Sequence, residues 1–182
     1  RLYERTGGRS LMDVRTLMHQ AVVNHADREC VVHGERRLTF SEAWDRGIRL
    51  ANGLLVMGCK PGDRIGVLED NSVEAADFFH ATAIANLVRV PLYPRNGLDA
   101  HLHMLSHTHC RVFVVSDNYI AEITGLQQQL PTLETVFVRD AYYEKWLREQ
   151  SADLPDNDIH PADPFIIRQS GGTTEPSQVV LS

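Results

Sequence analysis

From residue 65 onward, short apolar runs alternate with stretches of helical periodicity, and that rhythm leaves few architectures open. Ile65-Gly-Val-Leu68, Leu87 to Leu92, Arg111-Val-Phe-Val-Val115 and Thr135-Val-Phe-Val138 are short runs, each nearly continuous in apolar residues. Between them lie a helix capped by Asn71-Ser-Val-Glu74, with Val73, Ala76, Phe79 and Ala83 on one side, and further helices over Leu98 to Ser106 and Tyr119 to Leu130. A strand wet on one face alternates apolar with polar residues. A strand that is apolar throughout is covered on both faces, as in a parallel sheet with crossover helices above and below. The expected fold is α/β, a parallel β-sheet flanked by helices on both faces.

Ahead of this region, Leu11, Val14, Leu17, Met18, Ala21 and Val22 recur at helical spacing and predict an N-terminal helix before Asn24. Cys30 to Phe40 reads as a hairpin with Gly34 at its tip. Thr39-Phe-Ser-Glu42 is a capping-box pattern opening a helix whose stripe is Trp44, Ile48, Ala51, Leu54 and Leu55, ended by Gly58 and a Lys60-Pro-Gly-Asp63 turn. Tyr142 to Gln150 predicts one more helix. Residues 151–164, with Pro155, Pro161 and Pro164 among aspartates, predict a surface connector, and Phe165-Ile-Ile167 a last strand.

Composition removes several function classes. A chain of 182 residues is one domain or one lobe of something larger, and Arg1 in place of a methionine predicts an upstream segment. With 18 basic against 24 acidic residues the net charge is −6, which argues against a broad nucleic-acid-binding surface. No apolar run approaches the roughly 18 residues of a membrane span. The three cysteines, Cys30, Cys59 and Cys110, do not form a disulfide framework, so a reducing, cytoplasmic setting is expected, with peripheral membrane association left open. Cys59 and Cys110 read as buried thiols, and Trp44 and Trp146 as core anchors. His101, His103, His107 and His109 resemble a metal cluster, but Leu102 and Leu105 already supply a buried side, and a His-rich polar face is the expected reading. Asp153, Asp156, Asp158 and Asp163 lack calcium-loop spacing. No metal site is expected.

The stretch with the most chemistry is Ser170-Gly-Gly-Thr-Thr174, directly after the last strand. Consecutive glycines expose backbone N–H groups and the hydroxyls add donors, a combination suited to a polyphosphate. Neither a Walker loop nor a G-x-G-x-x-G fingerprint is present, so taken alone the loop weighs about equally as an ordinary turn.

Its surroundings shift that balance. The run from Phe165 to Ser182 resembles the phosphate loop of the adenylate-forming superfamily, the acyl-CoA synthetases and their relatives. Glu35-Arg-Arg-Leu-Thr-Phe-Ser-Glu42, the Gly58 to Val67 segment, Asn71-Ser-x-Glu74 and Val90-Pro-Leu-x-Pro94 resemble that family's opening segments in order and spacing. The resemblance implies that residues 1–182 are the N-terminal portion of an AMP-binding domain. It also implies that Ser170, Gly171, Gly172, Thr173, Thr174 and Ser177 bind ATP, with Mg2+ and coenzyme A as further cofactors. The implied reaction activates a small-molecule carboxylic acid, a fatty acid before an aryl acid, as an acyl-adenylate that coenzyme A captures. The resemblance places the adenine, magnesium and catalytic-lysine residues beyond Ser182, so this segment by itself is expected to be inactive and to self-associate or dimerise through uncovered apolar surface.

Three departures from the family pattern stand out. The loop lacks a glycine before Glu175-Pro176, or has Thr174 in its place; Ser177 stands where the family usually has lysine; and Arg89 lies in a strand that is normally apolar. The first two leave open a degenerate, non-catalytic nucleotide-binding relative, and architecture alone leaves open a flavodoxin-like domain.

Overall fold

The computed structural model describes residues 12–169 and 179–181. Helix α1 (Val14–His25) is capped by the Asp13 carboxylate, which accepts from the Thr16 backbone N–H. Strands β1 (Glu29–His33) and β2 (Arg36–Thr39) form the antiparallel hairpin, with Gly34 in the left-handed region at its tip. Helix α2 (Phe40–Val56) opens on the expected capping box: the Thr39 hydroxyl accepts from the Glu42 N–H, and the Glu42 carboxylate accepts from the Thr39 N–H.

Then come β3 (Arg64–Leu68), α3 (Val73–Ile84), β4 (Val88–Pro91), α4 (Leu98–His107), β5 (Val112–Ser116), α5 (Ile120–Gln129), β6 (Thr135–Arg139) and α6 (Tyr143–Arg148). The four strands β3 to β6 form one parallel sheet in the order β4-β3-β5-β6. Helices α2, α3 and α6 cover one face around Phe78, Ile65, Val67 and Val114; α4 and α5 cover the other around Phe113, Leu68, Val115 and Met104. The α/β expectation, with helices on both faces, holds. No helix among the described residues is long and apolar enough to cross a membrane.

The differences are local and have physical causes. Helix α1 forms, yet it buries none of its residues fully, because only Met18 and Val22 reach the core and Leu17 stays exposed. The α3 stripe was expected to include Phe79, but the buried side runs through Val73, Asp77, Phe78, Ala81 and Ile84. Phe79 is half out in solvent and meets the Phe165 ring edge-on at 5.2 Å. Helix α6 is shorter at both ends than Tyr142 to Gln150. Residues 151–164 carry no helix or strand, and their backbone carbonyls at Ser151 and Asp153 accept from the Asn52 amide.

Helices α2 and α3 cross at Gly47, where a Cβ would come within 2.5 Å of the His80 Cβ and 3.1 Å of the Ile84 Cδ1. The His80 Cβ is fixed to backbone and cannot swing away. Gly47→Ala should therefore destabilise despite alanine's better helix propensity: overpacking costs about 1–3 kcal/mol against a gain of about 1 kcal/mol. Urea unfolding checks this, and an unchanged or raised midpoint would contradict it.

Candidate functional site

Strand β7 (Ile167–Gln169) leads into the glycine-rich segment and pairs antiparallel with β8 (Val179–Leu181), Gln169 opposite Val179. The backbone therefore brings the two ends of the 170–178 segment side by side. Ser170, Gly171, Gly172, Thr173, Thr174 and Ser177 themselves lie outside the described residues. Just before β7, Ile166 makes a parallel bridge with Arg89, and the Arg89 N–H donates to the Phe165 carbonyl at 2.9 Å. The segment thus docks on the free edge of β4. Ile166 is level with Arg89, and Arg89 with Ile65. Counting up these parallel strands sets Gln169 level with Leu68, one residue short of Glu69.

That height is the carboxyl end of the sheet. The strand order reverses across β3, whose neighbours are β4 and β5, and the crevice above such a point is where open α/β sheets take their ligands. Sequence reasoning missed what is there. The register Leu68–Val115 and Ser116–Arg139 puts Glu69, Ser116 and Arg139 in one row across β3, β5 and β6. Arg139 Nη2 lies 3.4 Å from one Glu69 oxygen and Arg89 Nη2 lies 3.9 Å from the other. The Glu69 side chain is only 4% exposed. Burial pushes its carboxyl up to about 7, against the opposing pull of Arg139 and Arg89. Both Glu69 oxygens, Nε of Arg89, Nε of Arg139 and Oγ of Ser116 are buried without a hydrogen-bond partner among the described residues. Arg89, anomalous for its strand, is here the counter-ion of Glu69.

The row is one end of a longer charged network. Arg139 Nη1 lies 3.6 Å from Glu74, which also pairs with Arg36, and Arg36 donates to Glu144 at 3.1 Å. Arg46 forks onto Asp77 at 2.8 and 2.7 Å and onto Glu144 at 2.9 and 2.8 Å, and the Tyr143 hydroxyl donates to Asp77 at 3.0 Å. The Arg46 guanidinium holds Glu144 below the usual carboxylate range, and the Arg36 guanidinium lowers Glu74 although burial opposes it.

The other sequence candidates separate. His103 and His107 stack on the exposed side of α4 with ring centroids 5.3 Å apart, whereas His101 is buried with Nε2 3.1 Å from the Tyr93 carbonyl. The four histidines are therefore not one polar face, because His101 falls one turn-fraction round, on the core side with Met104 and Leu105. Asp163 accepts from the Asn86 amide and the His160 N–H, which shapes a turn. Among the described residues no group of three His, Cys, Asp or Glu can hold a metal ion. Cys59 and Cys110 are buried, and burial pushes each thiol up to about 11, away from nucleophilic use. Trp44 is in the core, and Trp146 packs against it across Gly53.

Comparison with known proteins completes the picture. Residues 18–181 match the family described as AMP-binding enzyme. Triostin synthetase I from Streptomyces triostinicus is 31% identical over 178 residues, 94% of this chain and 33% of that protein. The anthranilate CoA ligase AuaEII, in complex with anthranoyl-AMP, superposes with a TM-score of 0.86 at 19% identity, over 95% of this chain and 34% of that one. A Mycobacterium tuberculosis fatty acyl CoA synthetase gives 0.85 at 21% identity, over 93% and 34%. The chain thus spans about a third of the length of these relatives. A family match over nearly every residue and a relative of this identity across the same span agree with the sheet order and the docked β7: the chain belongs to the AMP-binding enzyme family of adenylate-forming ligases.

Proposed function

We propose that this chain supplies the phosphate-binding part of a carboxylate ligase. That enzyme uses ATP to make an acyl-adenylate and passes the acyl group to coenzyme A, with a fatty acid as first substrate and an aryl acid as the alternative. The supporting observation is the placement of β7: it ends at the carboxyl end of the sheet, with β8 alongside, so the Ser170 to Ser177 segment starts and finishes where such sheets bind ligands. In this reading Gly171 and Gly172 offer backbone N–H groups, and Ser170, Thr173, Thr174 and Ser177 offer hydroxyls, to the phosphates of ATP. Those donors stabilise the charge that grows on pyrophosphate as it leaves. The described residues provide no set of Mg2+ ligands. A cytoplasmic setting and a homodimer belong to the same proposal.

The test is carboxylate-dependent exchange of labelled pyrophosphate into ATP, run on the natural polypeptide that carries this segment. Exchange with a fatty or an aryl acid supports the ligase and chooses between substrates. ATP binding without exchange for any acid would instead mark a degenerate relative, the alternative favoured by Ser177 at the usual lysine position.

Ser177→Lys should tighten ATP binding, because it sets a mobile cation beside a polyanion. The gain expected is about 1.5–3 kcal/mol where the contact is shielded from water. It should shrink as salt rises. Equal ATP affinity of the two proteins at low salt would show that Ser177 does not occupy the lysine position.

A further inference from the structure

The carboxyl end of the sheet holds three buried hydrogen-bond donors that find no acceptor among the described residues: Nε–H of Arg89, Nε–H of Arg139 and Oγ–H of Ser116. The acceptors in their midst, the two Glu69 oxygens, are also unpartnered. Glu69 is close enough to neutralise the arginines but makes no hydrogen bond with either. We propose that this crevice is a binding site for a tetrahedral oxyanion, a phosphate or sulfate group, which accepts from Arg89, Arg139 and Ser116 while Glu69 takes up a proton.

Four features carry the proposal. Arg89 of β4 and Arg139 of β6 converge on the buried Glu69 carboxylate just past β3, and the register sets Ser116 of β5 in the same row as Glu69 and Arg139. Two of the three donors are guanidinium groups, the kind best matched to an oxyanion. The place is the switch point of the sheet, where ligands of such folds sit. The charges also allow it. The groups facing Glu69 are Arg89 from β4, Arg139 from β6, Ser116 from β5, and Glu74 and Asp77 from α3. Asp77 is taken up by Arg46 and Tyr143, and Glu74 by Arg36 as well as Arg139. With Glu69 ionised the crevice is near neutral. With Glu69 protonated it carries an unbalanced cation, and the carboxyl itself becomes a fourth donor. Burial already brings Glu69 close to that change at neutral pH.

Binding here should therefore consume a proton. None of Glu69, Arg89, Ser116 and Arg139 belongs to the Ser170 to Ser177 segment, and the proposal stands whether or not the proposed ligase reaction does.

The probe is sulfate, whose charge is constant through neutral pH, titrated into the chain by calorimetry in two buffers of different ionisation enthalpy. The expected result is an affinity about tenfold higher near pH 6 than near pH 8, with close to one proton taken up near pH 8 and little near pH 6. Glu69→Gln should keep the binding and lose both the pH dependence and the proton uptake. Arg139→Gln should weaken binding about tenfold or more at either pH. Ser116→Ala, a smaller change that spares the fold, should weaken it severalfold. Circular dichroism confirms that each variant is folded. Absence of saturable sulfate binding would overturn the proposal, and so would binding that Arg139→Gln and Ser116→Ala leave unchanged. Competition separates the sources: displacement of sulfate by ATP assigns the site to a nucleotide phosphate, and simultaneous binding assigns it to a free anion.

Discussion

Asp77→Ala should destabilise this chain by about 3–5 kcal/mol, the range for removing one partner of a buried ion pair. Asp77 sits in the middle of the buried side of α3, 1% exposed, and accepts from Arg46 twice and from Tyr143 once. Burial dominates its carboxyl, which is pushed up although Arg46 and Tyr143 pull it down, whereas Arg46, the less buried partner, is held more firmly protonated. The pair is thus no large source of net stability. The cost of the substitution arises elsewhere: it leaves the Arg46 guanidinium, 15% exposed, with Glu144 alone, and the Tyr143 hydroxyl with no acceptor inside the Phe78–Phe137–Trp146 cluster. Asp77→Asn keeps the shape and one acceptor, and its smaller loss separates charge from packing. Urea unfolding at neutral pH reads both. A loss below about 1 kcal/mol for Asp77→Ala would mean that water reaches Arg46 and that the network is peripheral.

How much of this was legible in the sequence depends on the range of the interaction. Ile65 to Leu68 and Val112 to Val115 announce covered strands because burial on both faces demands apolar residues at every position. The Thr39 and Glu42 cap is equally readable, since both partners lie within one turn. Phe79 departs from the expected stripe because apolar character marks a buried face only on average. On α3 the buried side includes Asp77, a polar residue whose partner, Arg46, lies on another helix. A lone aspartate amid Val73, Phe78 and Ala81 was the available signal, and it needs the fold to interpret it. The same holds for the crevice. Glu69 ends one apolar run and Arg139 another, seventy positions apart, and only the parallel register brings them to 3.4 Å. Arg89 is a flaw in its strand by sequence alone, and its partner is Glu69, whose carboxylate lies 3.9 Å from its Nη2 although the register sets Arg89 level with Ile65. By contrast, the loop from Ser170 to Ser177 was visible as a motif, since consecutive glycines and hydroxyls are a local property. The structure adds where its two ends stand.

Glu69 also makes a prediction about stability and pH. Its carboxyl is raised from an ordinary 4.5 to about 7 by burial. The folded state therefore holds this proton more tightly than the unfolded chain does. Its contribution is fully present below about pH 4.5, falls as pH rises toward 7, and is gone above that, when a bare carboxylate must be kept in the interior. A shift of this size corresponds to roughly 3 kcal/mol, and with the side chain 4% exposed little of it is lost to solvent screening. His80 works in the opposite sense: burial lowers it, so the unfolded chain binds more protons just below neutral, and stability there rises with pH. The two slopes overlap in the wild-type protein. Glu69→Gln removes one of them, because an amide of the same shape does not titrate. The variant should be the more stable of the two above about pH 7, by roughly 3 kcal/mol, and the advantage should vanish near pH 4.5. What remains in the variant should be the rising slope of His80. Denaturation of both proteins at closely spaced pH values gives the difference curve directly. A flat difference would mean that Arg89 and Arg139, at 3.9 and 3.4 Å, already keep Glu69 ionised across the range, and that the crevice holds a settled ion cluster with no room for an exchangeable proton.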